Sequence, residues 1–349
     1  MNGEIAAILA MDGIASGAIY VLIGLGFVLI FAVTRVIFVP FGDIAAFTAL
    51  SLASLETGSR PGTIGLVAVL ALLATAIDVV AIVRVRAFDR LPRALLCYLV
   101  LPLIPAAAVW FAGGTILSMP LRVGLSLALV LPIAPLLDRI VFRPIADASV
   151  LLLLTVAVAL HFALSGLGLI FFGPEGVRTK PLTDAAFDVA GLVVNAQTLL
   201  IVAASIVFCG LLFLFFEFTI QGKALRATAV NRTGARLVGI RPAATGTIAY
   251  LLASLLAGIS GVLIAPVTTI FYDSGFLLGL KAFVGAIIGA MASYPVTALG
   301  AVLVGLLESF ASFWLSAFKE VVVFGLLIPV LLWRSLSLAS GGDEEEAEE

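Results

Sequence analysis

Residues Leu199 to Ile220 read LLIVAASIVFCGLLFLFFEFTI, and Gly222 to Arg241 read GKALRATAVNRTGARLVGIR. The first stretch is apolar over roughly 20 residues, long enough to cross a bilayer as a helix. The second is a polar island carrying Lys223, Arg226, Arg232, Arg236 and Arg241 and no acid. Beyond it, Thr245–Pro266 is apolar again and almost uncharged. Lipid offers the backbone no hydrogen-bond partners, so the flanking runs must be helices that satisfy their own groups. Lys and Arg are retained on the cytoplasmic side of a membrane exit, which places the island there. Its Ala-Leu-Arg-Ala spacing favours helix and a glycine stands near each end, Gly222 and Gly239. The island reads as a small structured element, not a plain connector.

The same reading extends to the whole chain. It is 62% hydrophobic and 11% charged, with a mean hydropathy of +1.26, far outside the soluble globular range. About ten or eleven segments approach bilayer length: Ile5–Val33, Val36–Leu55, Ile64–Val83, Ala94–Phe111, Val123–Leu137, Val150–Phe172, Leu199–Ile220, Thr245–Pro266, Phe276–Ala292, Val296–Phe318 and Val321–Trp333. Val123–Leu137 is short, and Pro132 and Pro135 are expected to kink it. The last segment is also short, and either continues to Leu338 or re-enters. The fold class is therefore all-α, a polytopic transmembrane helical bundle.

Loop charge orients the bundle. Arg84–Arg93 holds four arginines against Asp89, and Gly222–Arg241 holds five cations, so both are expected in the cytoplasm. Gly173–Asp188 holds Glu175, Asp184 and Asp188 against Arg178 and Lys180 and fits the opposite side. Counting outward puts the N-terminus outside and the C-terminus in the cytoplasm. The segment 341–349 reads as an acidic, disordered cytoplasmic tail. Its six acids account for the net charge of −2; without them 19 basic residues stand against 15 acidic. The first basic residue is Arg35, so no cleavable signal is expected. Cys97 and Cys209 read as packing residues.

Nothing in the residues points to catalysis. One histidine and two distant cysteines cannot build a zinc site, and neither a catalytic nor a metal-ligating set is expected. Gly222-Lys223 lacks the first glycine and the hydroxyl residue of a phosphate loop. Nucleic acid is not an expected partner; the lipid bilayer is. Lys281 and Glu308 are charges inside apolar segments, costly unless paired. They are expected to pair across neighbouring helices, so that reversing both charges together restores what either reversal loses. His161, alone in mid-segment, is expected to make one hydrogen bond to a neighbouring helix. Asp78 and Glu217 are expected to reach toward headgroups. Phe213, Phe215, Phe216 and Phe218 face several directions and read as packing and lipid contact. Gly13-x-x-x-Gly17 and Gly285-x-x-x-Gly289 put small residues on one face, where helices approach closely.

These residues also resemble a family, the branched-chain amino acid ABC-importer permeases of the LivH/LivM type. The strongest likeness is Gly222-Lys-Ala-Leu-Arg-Ala through Leu237-Val-Gly-Ile240. A second block runs from Gly275-Phe276 through Lys281-Ala-Phe283, Gly289, Pro295, Gly300 and Gly305 to Glu308. A third is Gly13-x3-Gly17-x2-Tyr20-x-Leu22-x3-Gly26; a weaker fourth is Asp138-Arg139 with Arg143-Pro144. The chain departs from the family at Phe38 and Phe41, where polar Asn and His usually precede the glycine at Gly42. It also has fewer glycines than usual in Ala290–Pro295.

The resemblance implies a transmembrane permease domain over 1–340, with an extra helical hairpin region at 84–138 and a cytoplasmic ATPase-coupling loop at 222–241. In that loop Gly222, Lys223, Ala224, Arg226, Ala227, Arg232, Arg236 and Gly239 carry the match. Gly222→Trp is then expected to leave folding intact while uncoupling ATP hydrolysis. Residue types alone leave a merely topogenic basic loop equally open. Pathway or packing roles fall to Gly13, Gly17, Tyr20, Phe41, Gly42, His161, Lys281, Phe283, Gly289 and Glu308. The implied partners are ABC ATPase subunits holding ATP-Mg, a second related permease or a second copy, a periplasmic solute-binding protein and a small-molecule substrate. This chain itself holds no cofactor. The implied place is the bacterial inner membrane. Cargo would be branched-chain or other hydrophobic amino acids, with urea, short amides and aromatic acids beside them. From another class stands an ion-coupled secondary transporter, with His161, Lys281 and Glu308 as its sparse candidates, and from a third a purely structural membrane protein.

Overall fold

The structure, a computed structural model, describes residues 3–113, 117–146, 148–183, 185–189 and 192–332. In chain order its main helices are α1 (Gly3–Thr34), α2 (Phe41–Glu56), α3 (Thr63–Val85), α4 (Phe88–Ala112), α5 (Met119–Ile145), α6 (Val150–Phe172) and α7 (Ala196–Phe218). There follow α8 (Ile220–Val230), α9 (Arg232–Leu237), α10 (Pro242–Ile264), α11 (Ser274–Ile288), α12 (Tyr294–Trp314) and α13 (Lys319–Gly325). Among the described residues, eight of these helices are long and apolar enough to cross a membrane; α2, α8, α9, α11 and α13 are not. The molecule is an all-α polytopic bundle, with fewer full-length spans than the apolar runs suggest.

The shortfall has local causes. The run from Val36 leaves the helix over 35–40, and α2 starts only after Pro40, which has no N–H to donate. Its 16 residues reach about 24 Å, less than the ~30 Å hydrocarbon core. Almost every residue of α2 is buried, so this is an interior helix reached by an irregular segment. Such backbone is tolerated at membrane depth where it is buried in protein or lines a water-filled cavity. The run from Phe276 becomes the 15-residue α11. The final run becomes α13, a turn at Leu326 and further helix over 327–332, with Trp333, Leu338 and the acidic tail outside the described residues.

Val123–Leu137, by contrast, belongs to a longer element. α5 is 27 residues long and turns at Leu131-Pro132, where the expected kink falls. In α4 the ladder widens to a π-turn over Leu96–Val100, just ahead of Pro102 and Pro105, which remove backbone donors. α4 and most of α5 lie within 84–138, although α5 runs past that boundary to Ile145. Between α6 and α7 the chain forms an unanticipated antiparallel hairpin, β1 (Ala186–Val189) with β2 (Leu192–Asn195), pairing Ala186 with Asn195 and Phe187 with Val194. Asp184 lies outside the described residues.

α1 and α10 form the centre, while α4, α6 and α7 line the rim and turn Phe111, Phe162, Ile170 and Phe213 outward, where hydrocarbon is the solvent. Helices in lipid gain little from apolar contact alone and associate by close packing of small residues. α1 meets α12 in this way. A Cβ on Gly13 would sit 2.8 Å from Leu306 Cα, and one on Gly17 2.7 Å from Val302 Cα, with Gly305 opposite them. Gly285 fits α12 likewise, 2.8 Å from Ala301 Cα. Cys97 and Cys209 are free thiols.

Candidate functional site

The polar island folds into two short helices hung from the end of α7. Thr219 adopts an extended backbone that breaks α7, and its Oγ1 accepts the Gly222 N–H at 2.9 Å, capping α8. Asn231 ends α8 and caps α9 through its Oδ1 on the Gly234 N–H at 2.8 Å. α9 closes with Ile240 N–H on Ala235 O (2.9 Å) and Gly239 N–H on Arg236 O (3.1 Å). Gly239 has φ +86°, the left-handed C′ residue of this motif, which glycine adopts without steric cost.

One face of the element is sealed against the bundle by Gly222, Leu225, Thr228 and Ala235. A Cβ on Gly222 would collide with Phe215 O and sit 2.7 Å from Phe216 Cα. The expectation that Gly222→Trp leaves folding intact is therefore wrong: this glycine is the corner on which α8 folds back. Arg226 is also committed within the chain, donating to Phe216 O and pairing with Glu217 at 3.1 Å. Glu217 is thus held by Arg226. Ala224 and Arg232 are half-buried. Lys223, Ala227 and Arg236 face outward, beside Val230, Leu237 and Val238, which are 86, 85 and 75% exposed.

Deep in the bundle, Lys281 on α11 places its Nζ 2.6 Å from Glu308 Oε1 on α12 and 3.0 Å from Glu320 Oε1 on α13. Tyr20 on α1 donates its hydroxyl to Glu308 Oε2 at 2.5 Å. One cation thereby ties four helices. The pairing of Lys281 with Glu308 is legible in the sequence; Tyr20's hydroxyl and Glu320 as members of the same cluster are not. Glu320 opens the final apolar run, and its position beside Lys319 makes it look like a loop charge.

His161 bonds to a residue that the sequence reading passed over. Its Nδ1 donates to Asp43 Oδ2 at 2.8 Å, with Oδ1 at 3.0 Å, and both residues are buried. The imidazole stacks on Phe276, ring centroids 4.6 Å apart. Asp43 lies in the first turn of α2, where the helix dipole favours an anion. Gly275 in the first turn of α11 packs directly on it: a Cβ there would lie 2.6 Å from Asp43 Oδ1. Gly42 abuts Gly275 and Gly279 in the same contact. Two interior helix starts thus converge on one carboxylate. A lone acid inside an apolar run was the available signal.

The remaining residues make packing contacts or ion pairs within the bundle. Phe41 lies over Gly26 and 5.2 Å from the Phe27 ring, which also meets Phe283 at 5.5 Å. Phe38 stands edge-on to Tyr250 and Phe142. Both Phe38 and Phe41 are wholly buried, so they fill the core and line no open path in this structure. Asp78 does not reach for headgroups; it pairs with Arg139 of α5. Arg143 pairs with Asp138 at 2.8 Å. Gly289 ends α11 against Thr297, and the two residues after it, Ala290 and Met291, both hold positive φ (58° and 54°). Phe216 stacks on Tyr294 at 5.3 Å, while Phe213 and Phe218 face outward. Among the described residues no group of three or more His, Cys, Asp or Glu is placed to hold a metal.

Comparison with known proteins returns one family profile, described as "Branched-chain amino acid transport system / permease component", matching residues 9–331. The high-affinity branched-chain amino acid transport system permease protein LivH of Escherichia coli K12 is 28% identical over 203 residues, 56% of this chain and 66% of LivH. BraD, the corresponding permease protein of Pseudomonas aeruginosa, is 28% identical over 218 residues, 60% of this chain and 71% of BraD. The chain thus spans just under two thirds of LivH. No solved structure matches.

Proposed function

Because the chain belongs to the family of branched-chain amino acid transport permease components, we propose that it is the membrane-spanning subunit of an ABC importer for branched-chain or other apolar amino acids. On this reading a periplasmic binding protein delivers the solute outside. Separate subunits bind ATP-Mg and hydrolyse it inside, and a second permease, related or identical, completes the path. The N-terminus lies outside and the basic two-helix element in the cytoplasm.

The observation that carries the proposal is the family match over 9–331, which includes the two-helix element and every buried charge described above. The shape of α8–α9 supports it. Basic side chains beside exposed Val230, Leu237 and Val238 suit a partner surface, and a capped helix pair fixed to α7 moves as a rigid body when gripped. The same match favours an ATP-driven importer over an ion-coupled transporter.

Purification of tagged protein from native membranes in mild detergent tests this. A P-loop ATPase should travel with the chain and be lost from Leu237→Ser/Val238→Ser, while the variant stays monodisperse. A chain that emerges alone, yet moves leucine in vesicles under a proton gradient without ATP, would overturn the proposal.

A further inference from the structure

Between α3, α4, α5 and α10 lies a groove of about 1540 Å³ that the transport reading does not use. Its length is walled by apolar side chains, among them Leu101, Ile104, Leu131 and Leu251. Four arginines also line it, Arg90 and Arg93 at the start of α4, Arg143 near the end of α5 and Arg241 at the start of α10, together with Asp78, which Arg139 already holds. Arg143 is already engaged with Asp138, Tyr98, Ala243 O and Thr247. Arg90, Arg93 and Arg241 are exposed and make no ion pair among the described residues. An open, apolar groove with three guanidiniums outside any of these ion pairs in its lining has room for the acyl chains of a lipid and the charge of a binding site for an anionic headgroup.

We propose that this groove holds an anionic phospholipid, its acyl chain along α4 and α5 and its phosphate on Arg90, Arg93 and Arg241. Arg241 is the residue that joins α9 to α10. The bound headgroup therefore bridges the start of α4 to the base of the two-helix element, making the lipid a strut between the α4–α5 pair and α8–α9. The acidic segment 341–349 matches the arginines in charge, but it has no apolar residue except Ala347 to fill the trough.

Photo-crosslinking tests the assignment. The full chain is reconstituted in phosphatidylcholine vesicles containing phosphatidylglycerol with a diazirine in its acyl chain, in parallel with phosphatidylcholine carrying the same diazirine. Label is mapped by peptide mass spectrometry. Peptides within 97–108 and 125–136 should favour phosphatidylglycerol by on the order of tenfold, whereas the lipid-facing α6 takes both lipids equally. Arg93→Gln alone should lower the preference roughly fivefold, and Arg93→Gln/Arg241→Gln should abolish it. Arg84→Gln/Arg86→Gln, an equal charge loss outside the groove, should leave it unchanged. Equal labelling of the groove by the two lipids, or an equal loss in both double variants, would reduce the effect to general attraction of a basic surface and overturn the proposal. A preference that emerges only after truncation at Ser340 would assign the arginines to the acidic tail. Abolition by added inorganic phosphate at constant ionic strength would assign them to a soluble anion.

Discussion

Replacing Lys281 by Met removes the cation that Glu308 and Glu320 share, leaving both carboxylates without it. Breaking a buried pair by deleting one partner costs about 3–5 kcal/mol. The two contacts are unequal: the Glu308 side chain is 17% exposed and Glu320 34%. Glu320 can swing toward solvent and recover its hydration, so its contact contributes at most about 1 kcal/mol. Most of the loss comes from Glu308, and Lys281→Met should destabilise by about 3 kcal/mol. Lys281→Met/Glu308→Gln should recover most of this, because neutral replacements of a buried pair are often tolerated and Gln still accepts the Tyr20 hydroxyl. The double charge reversal, Lys281→Glu/Glu308→Lys, should recover only part, because the carboxylate it introduces on α11 would sit against Glu320. This revises the simple expectation that reversal restores the pair. Unfolding in mixed SDS and mild-detergent micelles gives the free energies. Lys281→Met within about 0.5 kcal/mol of wild type, the usual range of a surface change, would refute the reasoning; so would full rescue by reversal.

Other outcomes follow from single sites. His161→Phe should cost about 3 kcal/mol by leaving Asp43 buried without its donor, and His161→Phe/Asp43→Asn should be milder; additive losses in the same unfolding assay would show no coupling. Ala290→Gly and Met291→Gly should each stabilise by about 1 kcal/mol, because non-glycine residues are strained at positive φ; unchanged thermal melting in both would contradict the turn geometry. Gly222→Trp should lower the yield of monodisperse protein outright, since its corner has no room for a side chain; normal yield with normal uptake would mean that α8 packs elsewhere.

The extent to which the fold was legible follows from solvent physics. Leu199–Ile220 and Thr245–Pro266 announce helices because lipid leaves the backbone no other choice. Hydropathy cannot tell a spanning helix from one buried within the bundle, since both are apolar all round. That is why Val36–Leu55 and Phe276–Ala292 read as spans and fold as the short interior helices α2 and α11. The two-helix element was legible in its glycines, but not the division of its cations. Arg226, on α8, is spent on Glu217 and Phe216 O, while Arg236, on α9, is exposed and makes no ion pair among the described residues, because it is α8 that folds back on the end of α7.

The buried charges carry the same lesson further. An ionisable group inside an apolar run must find a partner, so Asp43, Asp78, His161, Lys281 and Glu308 were each a sign that a contact exists. Sequence spacing could not say which contact. Asp43 and His161 are separated by 118 positions, and Asp78 and Arg139 by 61. The partners became fixed only when small residues let backbones close in. Gly42 and Gly275 bring the starts of α2 and α11 together around Asp43, and Gly17 and Gly305 bring α1 to α12 beside Tyr20 and Glu308. Glycine contacts and buried charges are therefore one device in this bundle: close approach of the backbones creates the pocket, and the ion pair holds it in register. Enlarging Gly305 should accordingly disrupt the Tyr20–Glu308 hydrogen bond along with the packing. Gly305→Leu is predicted to lose the stability difference between wild type and Tyr20→Phe in the micelle unfolding assay. If Tyr20→Phe cost as much in the Gly305→Leu background as in wild type, glycine packing and charge pairing would be independent.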